Sequence, residues 1–285
     1  MLKKIRIILE MIKFEHTIFA LPFAFTGALL AARGLPSLKT IIWLIVAMFG
    51  ARSAAMGFNR WADRDIDAAN PRTQSRALPL GLVSPRLVAL FTVASSALLI
   101  AAAYMLNPLA FHLSPIALAI VFFYSYTKRF TYFSHLFLGL AISGAPLGAW
   151  IAVKGRLDAP ALLLGLAVLF WLAGFDTLYA LQDMDFDRKA GLRSIPQRFG
   201  IRRSLWISRA SHAVTMILLF WLGFILSLGW LYYLGIFISL VLIIYEHTLV
   251  SEDDLSKLNF AFFNMNGYIS STIFLFTLLD TMVWY

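Results

Sequence analysis

Two short stretches of this chain carry residues that could do chemistry together. Asn59, Asp63 and Asp67 lie four apart, a spacing that stacks side chains along one face of a helix. Farther on, Asp176, Tyr179, Asp183 and Asp187 fall at offsets of three, seven and eleven, again one helical face. Seven of the fifteen acidic residues sit in these two stretches. Like charges at such spacing destabilise an isolated helix, and acids at a helix C-terminus oppose its dipole. Capping or simple solvation is therefore a poor account of them. Oxygen ligands alone suit a hard cation, and Mg²⁺ is usually held by one or two carboxylates together with substrate phosphate. Asp63 and Asp67 precede Asp183 and Asp187 by 120 residues, and basic loops follow both clusters: Arg72 and Arg76 after the first, Arg193 and Arg198 after the second. This reads as a degenerate internal repeat. Two carboxylate clusters facing each other could hold two Mg²⁺ ions on a diphosphate, with arginines gripping its outer oxygens.

Other residues join these clusters by spacing. Arg52 precedes Asn59 by seven residues and Asp63 by eleven, inside an apolar stretch. A charge there is costly and reads as functional. It either neutralises Asp63 or snorkels, or it grips an anionic group deeper in a cavity, such as a substrate carboxylate. Tyr124 and Lys128 share a face at the end of a later stretch, with Lys128 placed to reach a phosphate. Interfacial tyrosines and topogenic charge are the competing account, and the better one for Arg129. Ser143-Gly144 suits helix packing; Ser143 is also carried as a pocket residue. His112, His135, His212 and His247 fall near the ends of apolar stretches with no metal-ligand spacing, so they read as interfacial. Glu252-Asp253-Asp254 reads as a solvated loop.

The elements that must position these residues are apolar helices. Of 285 residues, 60% are hydrophobic and 14% charged, more apolar surface than a soluble domain can hide. Many apolar runs approach the length that spans a bilayer. The expected class is an all-α integral membrane protein, one domain over residues 1–285. About nine spans are expected, at 17–33, 40–60, 83–105, 109–127, 132–153, 159–181, 205–227, 230–249 and 262–283. Asn107-Pro108 is a turn signal between the third and fourth, and Ser227-Leu228-Gly229 leaves only a tight turn between the seventh and eighth. The first span follows Lys3, Lys4, Arg6 and Lys13 and reads as a retained helix rather than a cleaved signal.

With no cysteine, disulfides, thiolate metal sites and cysteine nucleophiles are excluded. The net charge of +9 does not point to nucleic acid. With the N-terminus in the cytoplasm, the inside loops collect most basic residues, including Arg60, Arg64, Arg188, Lys189, Arg202, Arg203, Arg209 and Lys257. The outside loops hold only Arg33, Lys39, Lys154 and Arg156. That asymmetry places both acidic clusters at the cytoplasmic face of a cell (inner or plasma) membrane. A transporter would also use intramembrane charge, but its polar residues belong at midplane helix breaks rather than at helix ends.

Asn59-x3-Asp63-x3-Asp67 and Asp176-x2-Tyr179-x3-Asp183-x3-Asp187 resemble the two aspartate-rich motifs of the UbiA superfamily of intramembrane prenyltransferases. The flanking Asn70-Pro71-Arg72-Thr73 with Arg76-Ala77-Leu78-Pro79, and Tyr124-x3-Lys128-Arg129, agree. The resemblance covers nearly the whole chain. It implies nine helices around a cavity open to lipid, capped by cytoplasmic loop helices. It implies that Asn59, Asp63, Asp67, Asp183 and Asp187 bind Mg²⁺-diphosphate, aided by Arg72, Arg76 and Lys128, and that Arg52 lies near an acceptor carboxylate. The implied reaction is electrophilic aromatic substitution, with a polyprenyl diphosphate as donor and an aromatic carboxylic acid as acceptor. Asp183 or Asp187 would take the proton. The branch most resembled is the 4-hydroxybenzoate polyprenyltransferases. The opening Lys13-Phe14-Glu15-His16-Thr17 departs from the Asp-Lys-Pro pattern common there. The chain also resembles a menaquinone-pathway-like branch, which implies 1,4-dihydroxy-6-naphthoate as the alternative acceptor.

Overall fold

The structure is a computed structural model that describes residues 7–8, 10–12 and 17–284. The basic residues Lys3, Lys4, Arg6 and Lys13, and the opening Lys13 to His16, lie outside the described residues. Every regular element among the described residues is helical. Eight helices are long and apolar enough to cross a membrane, and the shorter Leu21–Ala32 is apolar too. Packing divides the chain into two units, Met1–Thr17 with Leu38–Tyr126, and Ile18–Ser37 with Thr127–Tyr285.

In the first unit, α2 (Leu38–Ala62) runs into the short α3 (Arg64–Ala69), followed by α4 (Pro85–Leu106) and α5 (Pro108–Thr127). Ser84 caps α4 by accepting from the Leu87 N–H at 3.3 Å, and Pro85 starts the helix where its missing N–H costs nothing. Asn107 ends α4, its N–H bonded to Ala103 O, and Pro108 begins α5, as the turn signal predicts. Helix α2 packs chiefly on α4. Gly50 makes that approach possible: a Cβ there would sit 2.7 Å from Leu99 N and 3.0 Å from Ser95 O. Small residues at membrane helix crossings let backbones close up in this way.

The second unit holds α1 (Thr17–Ala32), α6 (Ser134–Lys154), α7 (Ala159–Tyr179), the short α8 (Met184–Ala190), α9 (Ile195–Leu226), α10 (Trp230–Thr248) and α11 (Asn266–Trp284). Its core centres on α7, whose Leu164, Ala167, Val168 and Trp171 are almost wholly enclosed. Trp171 meets Phe23 of α1 with ring centroids 4.8 Å apart. A Cβ on Gly139 of α6 would collide with Leu169 O of α7. Ser227 adopts the left-handed conformation (φ 55°) that closes the turn into α10.

The observed helices match the expected spans within a few residues, with one exception. Helix α9 begins at Ile195, not near 205. Ser194 caps it, accepting from Gln197 N–H at 3.3 Å. Gly200 then breaks it with φ 76°, so a short polar segment precedes the apolar part. Hydropathy alone passes over that segment because Gln197 and Arg198 lie in it and Arg202 and Arg203 follow directly after the break. The Glu252–Asp254 segment is an exposed loop, as expected.

Candidate functional site

The first acidic cluster straddles a break between two helices. This corrects the expectation of acids at the C-terminus of one continuous helix. Helix α2 ends at Ala62, Asp63 takes the N-cap position of α3 (φ −99°, ψ 7°), and Asp65 and Asp67 fall in the first turn of α3. The acids therefore sit at a helix start, where the dipole favours them. Helical phase survives the break: Asp63 N–H bonds Asn59 O at 2.9 Å, and Asp67 N–H bonds Asp63 O at 2.7 Å. The shared face survives with it, since Asn59 Nδ2 donates to Asp63 Oδ2 at 3.1 Å. Asn59 also approaches Ser125 Oγ of α5 at 3.4 Å, bringing the end of that helix, with half-buried Tyr124, beside the cluster.

Asp63 and Asp67 are only 3% and 4% exposed, so their charge needs a partner. Arg76 Nη1 donates to Asp67 Oδ1 at 2.6 Å. Arg60 Nη1 stands 3.9 Å from Asp67 Oδ2 while its Nε donates to Met11 O at 3.4 Å. Arg60 is buried and reads in sequence as topogenic charge only. The signal that identifies it is its offset of seven from Asp67. Thr73 Oγ1 donates to Asp67 O at 3.0 Å, and Arg72 N–H donates to Asn70 Oδ1 at 2.9 Å, so the basic loop is folded back onto the cluster. The Arg72 side chain is exposed; Arg52, on α2, is half-buried.

The second cluster repeats the backbone of the first. Helix α7 ends at Tyr179, a 3₁₀ turn covers Ala180–Asp183, and Asp183 is the N-cap of α8 with φ −101°, ψ 0°. Asp185 and Asp187 occupy the first turn of α8. Asp63 and Asp183 thus share one bridge-region conformation with acids two and four residues on. The side chains around them differ. Asp187 Oδ2 accepts from Ser194 Oγ at 2.8 Å, a neutral donor where Asp67 has a guanidinium. Asp176, in the last turn of α7, pairs with His135 Nδ1 of α6 at 2.7 Å. Tyr179 stacks on Phe262, ring centroids 3.9 Å apart.

The loop residues of this unit are fastened to one another. Arg193 N–H donates to Lys128 O at 2.7 Å and Arg193 Nη1 donates to Phe130 O. Ser143 is buried, its hydroxyl donating to Leu140 O at 2.8 Å. Two histidines are buried inside the protein rather than exposed at its surface. His135 is 3% exposed and His212 1%, and His212 Nδ1 meets His247 Nε2 at 2.9 Å. Long-range packing of α9 on α10 and α7 joins them, which spacing along the chain does not reveal.

Apolar membrane-length helices that end in repeated, acid-bearing breaks define a polytopic membrane protein with charged clusters at helix ends. The UbiA prenyltransferase family model matches residues 20–268, and the chain belongs to that family of membrane enzymes. The 4-hydroxybenzoate octaprenyltransferase of Aeromonas hydrophila is 38% identical over 248 residues, covering 86% of this chain and 85% of that protein. That of Vibrio cholerae is 36% identical over 248 residues, covering 86% of each. Among solved structures, an apo UbiA homolog from Aeropyrum pernix superposes with a TM-score of 0.85 at 36% identity, covering 93% of this chain and 98% of that one. A UbiA homolog from Archaeoglobus fulgidus bound to DMAPP and Mg²⁺ shares the fold, with a TM-score of 0.75 at 21% identity over 97% and 99% of the two chains.

Proposed function

We propose that this protein transfers a polyprenyl group from a polyprenyl diphosphate to 4-hydroxybenzoate in quinone biosynthesis, with Mg²⁺ as cofactor. The observation that carries the reading is the repeated break: Asp63 and Asp183 in one backbone conformation, each followed by acids at the second and fourth positions, in a member of a prenyltransferase family. The family model runs through both packing units, which supports treating residues 1–285 as one functional domain. The acceptor follows the names of the relatives, which match over most of their length. The site faces the cytoplasm of an inner or plasma membrane, as the loop charges suggest.

The residues fit a divalent cation held jointly with substrate. Among the described residues no three of His, Asp and Glu form a ready-made ion cage. Mg²⁺ sites of the phosphate-dependent kind need only one or two carboxylates. Asp67 Oδ2 is buried and makes no hydrogen bond, so it has capacity for a cation. Asn59, Asp63, Asp67, Asp183 and Asp187 are the proposed ligands. The ion supplies charge neutralisation on the departing diphosphate.

The protein's own groups have the remaining roles. Arg72, Arg76, Lys128 and Arg193 donate to diphosphate oxygens, and Arg52 pairs with the acceptor carboxylate. Asp176, Tyr179, Tyr124 and Ser143 line the substrate path. The allylic C–O bond breaks as a bond forms to the ring carbon ortho to the phenol. Asp183 or Asp187 takes the displaced ring proton. Apolar helices exclude the water that would otherwise capture the activated prenyl carbon.

The test uses membranes holding the full chain, a labelled polyprenyl diphosphate, Mg²⁺, and either 4-hydroxybenzoate or 1,4-dihydroxy-6-naphthoate. Product forms with 4-hydroxybenzoate, disappears with EDTA and is absent in Asp63→Ala. Arg52→Ala raises the KM for 4-hydroxybenzoate more than that for the diphosphate. Product with the naphthoate alone replaces the acceptor. No product with either, or full activity in Asp63→Ala, overturns the reading.

A further inference from the structure

His135 stands outside every acidic motif, yet it holds one of their members. Its Nδ1 lies 2.7 Å from Asp176 Oδ2, and the Ile195 backbone N–H points at its Nε2 from 3.4 Å. A backbone N–H can only donate, so Nε2 accepts. The ring proton then sits on Nδ1 and is donated to Asp176. With His135 3% exposed, water cannot readily take its place.

The same segment that fixes the ring also reaches the other end of the motif. Ser194, next to Ile195, donates to Asp187 at 2.8 Å. Arg193 is tied by its own N–H to Lys128 O, and the guanidinium groups of Arg193 and Arg198 both approach the Tyr132 ring, 5.6 and 5.5 Å from its centroid. Residues 193–195 thus form a clasp with two outlets: Ser194 to Asp187, and Ile195 through His135 to Asp176.

We propose that His135 is a positioning residue for the transfer reaction, aiming the Asp176 carboxylate at the aromatic acceptor. This rests on the functional reading above, in which Asp176 touches substrate. Asp176 precedes Asp183 by seven residues, which at the helical rise sets it roughly 10 Å farther into the apolar span than the diphosphate ligands. The acceptor side of the site is the part it can serve. The ring acts by hydrogen bonding in a fixed tautomer, as partners of ligating side chains do elsewhere, and need not change protonation in the cycle.

The deciding experiment compares wild type, His135→Leu and His135→Gln in membranes, with a labelled polyprenyl diphosphate and 4-hydroxybenzoate or the dihydroxynaphthoate as alternative acceptor. Leucine removes both hydrogen bonds. Glutamine keeps one neutral donor and one acceptor but has no ring to titrate. His135→Leu lowers kcat/KM for the acceptor by about 10–100-fold, the range for removing such a supporting partner, while the KM for the diphosphate moves by less than about threefold. His135→Gln recovers most of the loss. An active wild type matched by His135→Leu overturns the proposal alone, as does a His135→Gln that folds but stays as poor as leucine. If His135→Leu is not recovered folded, His135→Gln decides: a loss of about tenfold or more overturns the proposal. A wild type inactive with both acceptors overturns the functional reading and this proposal with it.

Discussion

Replacing Arg76 with Met tests how the first cluster tolerates its own charge. Asp67 is nearly enclosed, its side chain 6% exposed, and Arg76 Nη1 lies 2.6 Å from it. Breaking a fully buried pair by removing one partner costs about 3–5 kcal/mol. Two features reduce that figure here. The Arg76 side chain is 27% exposed, and Arg60 remains 3.9 Å from the other carboxylate oxygen. A cost of about 2 kcal/mol follows, which for a chain of this size lowers the melting temperature by about 3–4 °C. The measurement is thermal unfolding of purified protein in detergent with EDTA. In an Asp67→Asn background the same substitution costs less than about 1 kcal/mol, because no buried anion is left behind. Adding Mg²⁺ raises the melting temperature of Arg76→Met more than that of wild type, since the cation takes over the missing charge. An Arg76→Met protein that melts with wild type in EDTA would refute the electrostatic reasoning. A loss that Asp67→Asn does not suppress would refute the pairing.

Two further substitutions probe the scaffold. Asp280 is fully buried and accepts from the first-turn N–H groups of α10, Gly229 at 2.8 Å and Tyr232 at 3.1 Å. Asp280→Ala leaves those donors unsatisfied and lowers stability by about 1–3 kcal/mol, with Asp280→Asn losing less, as read by melting in detergent. Gly50→Leu forces α2 away from α4, where even a Cβ would meet Leu99 N at 2.7 Å. It reduces the yield of monodisperse protein and costs upwards of about 1–3 kcal/mol, whereas unchanged yield and melting would show that the helices do not cross as closely as described.

Most of the fold is legible in the sequence because membrane helices announce themselves by length and apolarity. The ends of α4, α5 and α10 fall where Pro108, Asn107 and Gly229 place them. The members of the first cluster were legible too, since helical phase is continuous through Asp63 and offsets of four keep their meaning. What escaped depends on contacts distant in the chain. His135 and Asp176 are 41 residues apart, and His212 and His247 are 35 apart. Glu246 and Asn266, both fully buried, meet at 3.2 Å; Asn266 Nδ2 also lies within hydrogen-bond distance of Ala261 O and Phe262 O, carbonyls of the π-helical turn before α11. Only the packing of α10 on α11 brings that acid its partner. Arg60 differs: its offset of seven from Asp67 is present in the sequence, but basic residues are common in the neighbouring loops and the offset alone does not single it out.

The helix break resolves an electrostatic conflict that the sequence presents. Read as one helix, the run from α2 through Asp67 sets three acids against the negative end of its dipole. Read as two, it ends at Ala62 and restarts at Arg64, so Asp63, Asp65 and Asp67 lie at the positive start of α3, where carboxylates are favoured. Residues 180–187 do the same with a 3₁₀ turn. The bridge-region conformation at Asp63 and Asp183 is sparsely populated, and it recurs at the two positions that head the acidic runs. The two runs then diverge in their neighbours. Asp67 is met by Arg76 and Arg60, and Asp187 by the hydroxyl of Ser194. The backbone device is common to both clusters; the charge balance is set separately in each.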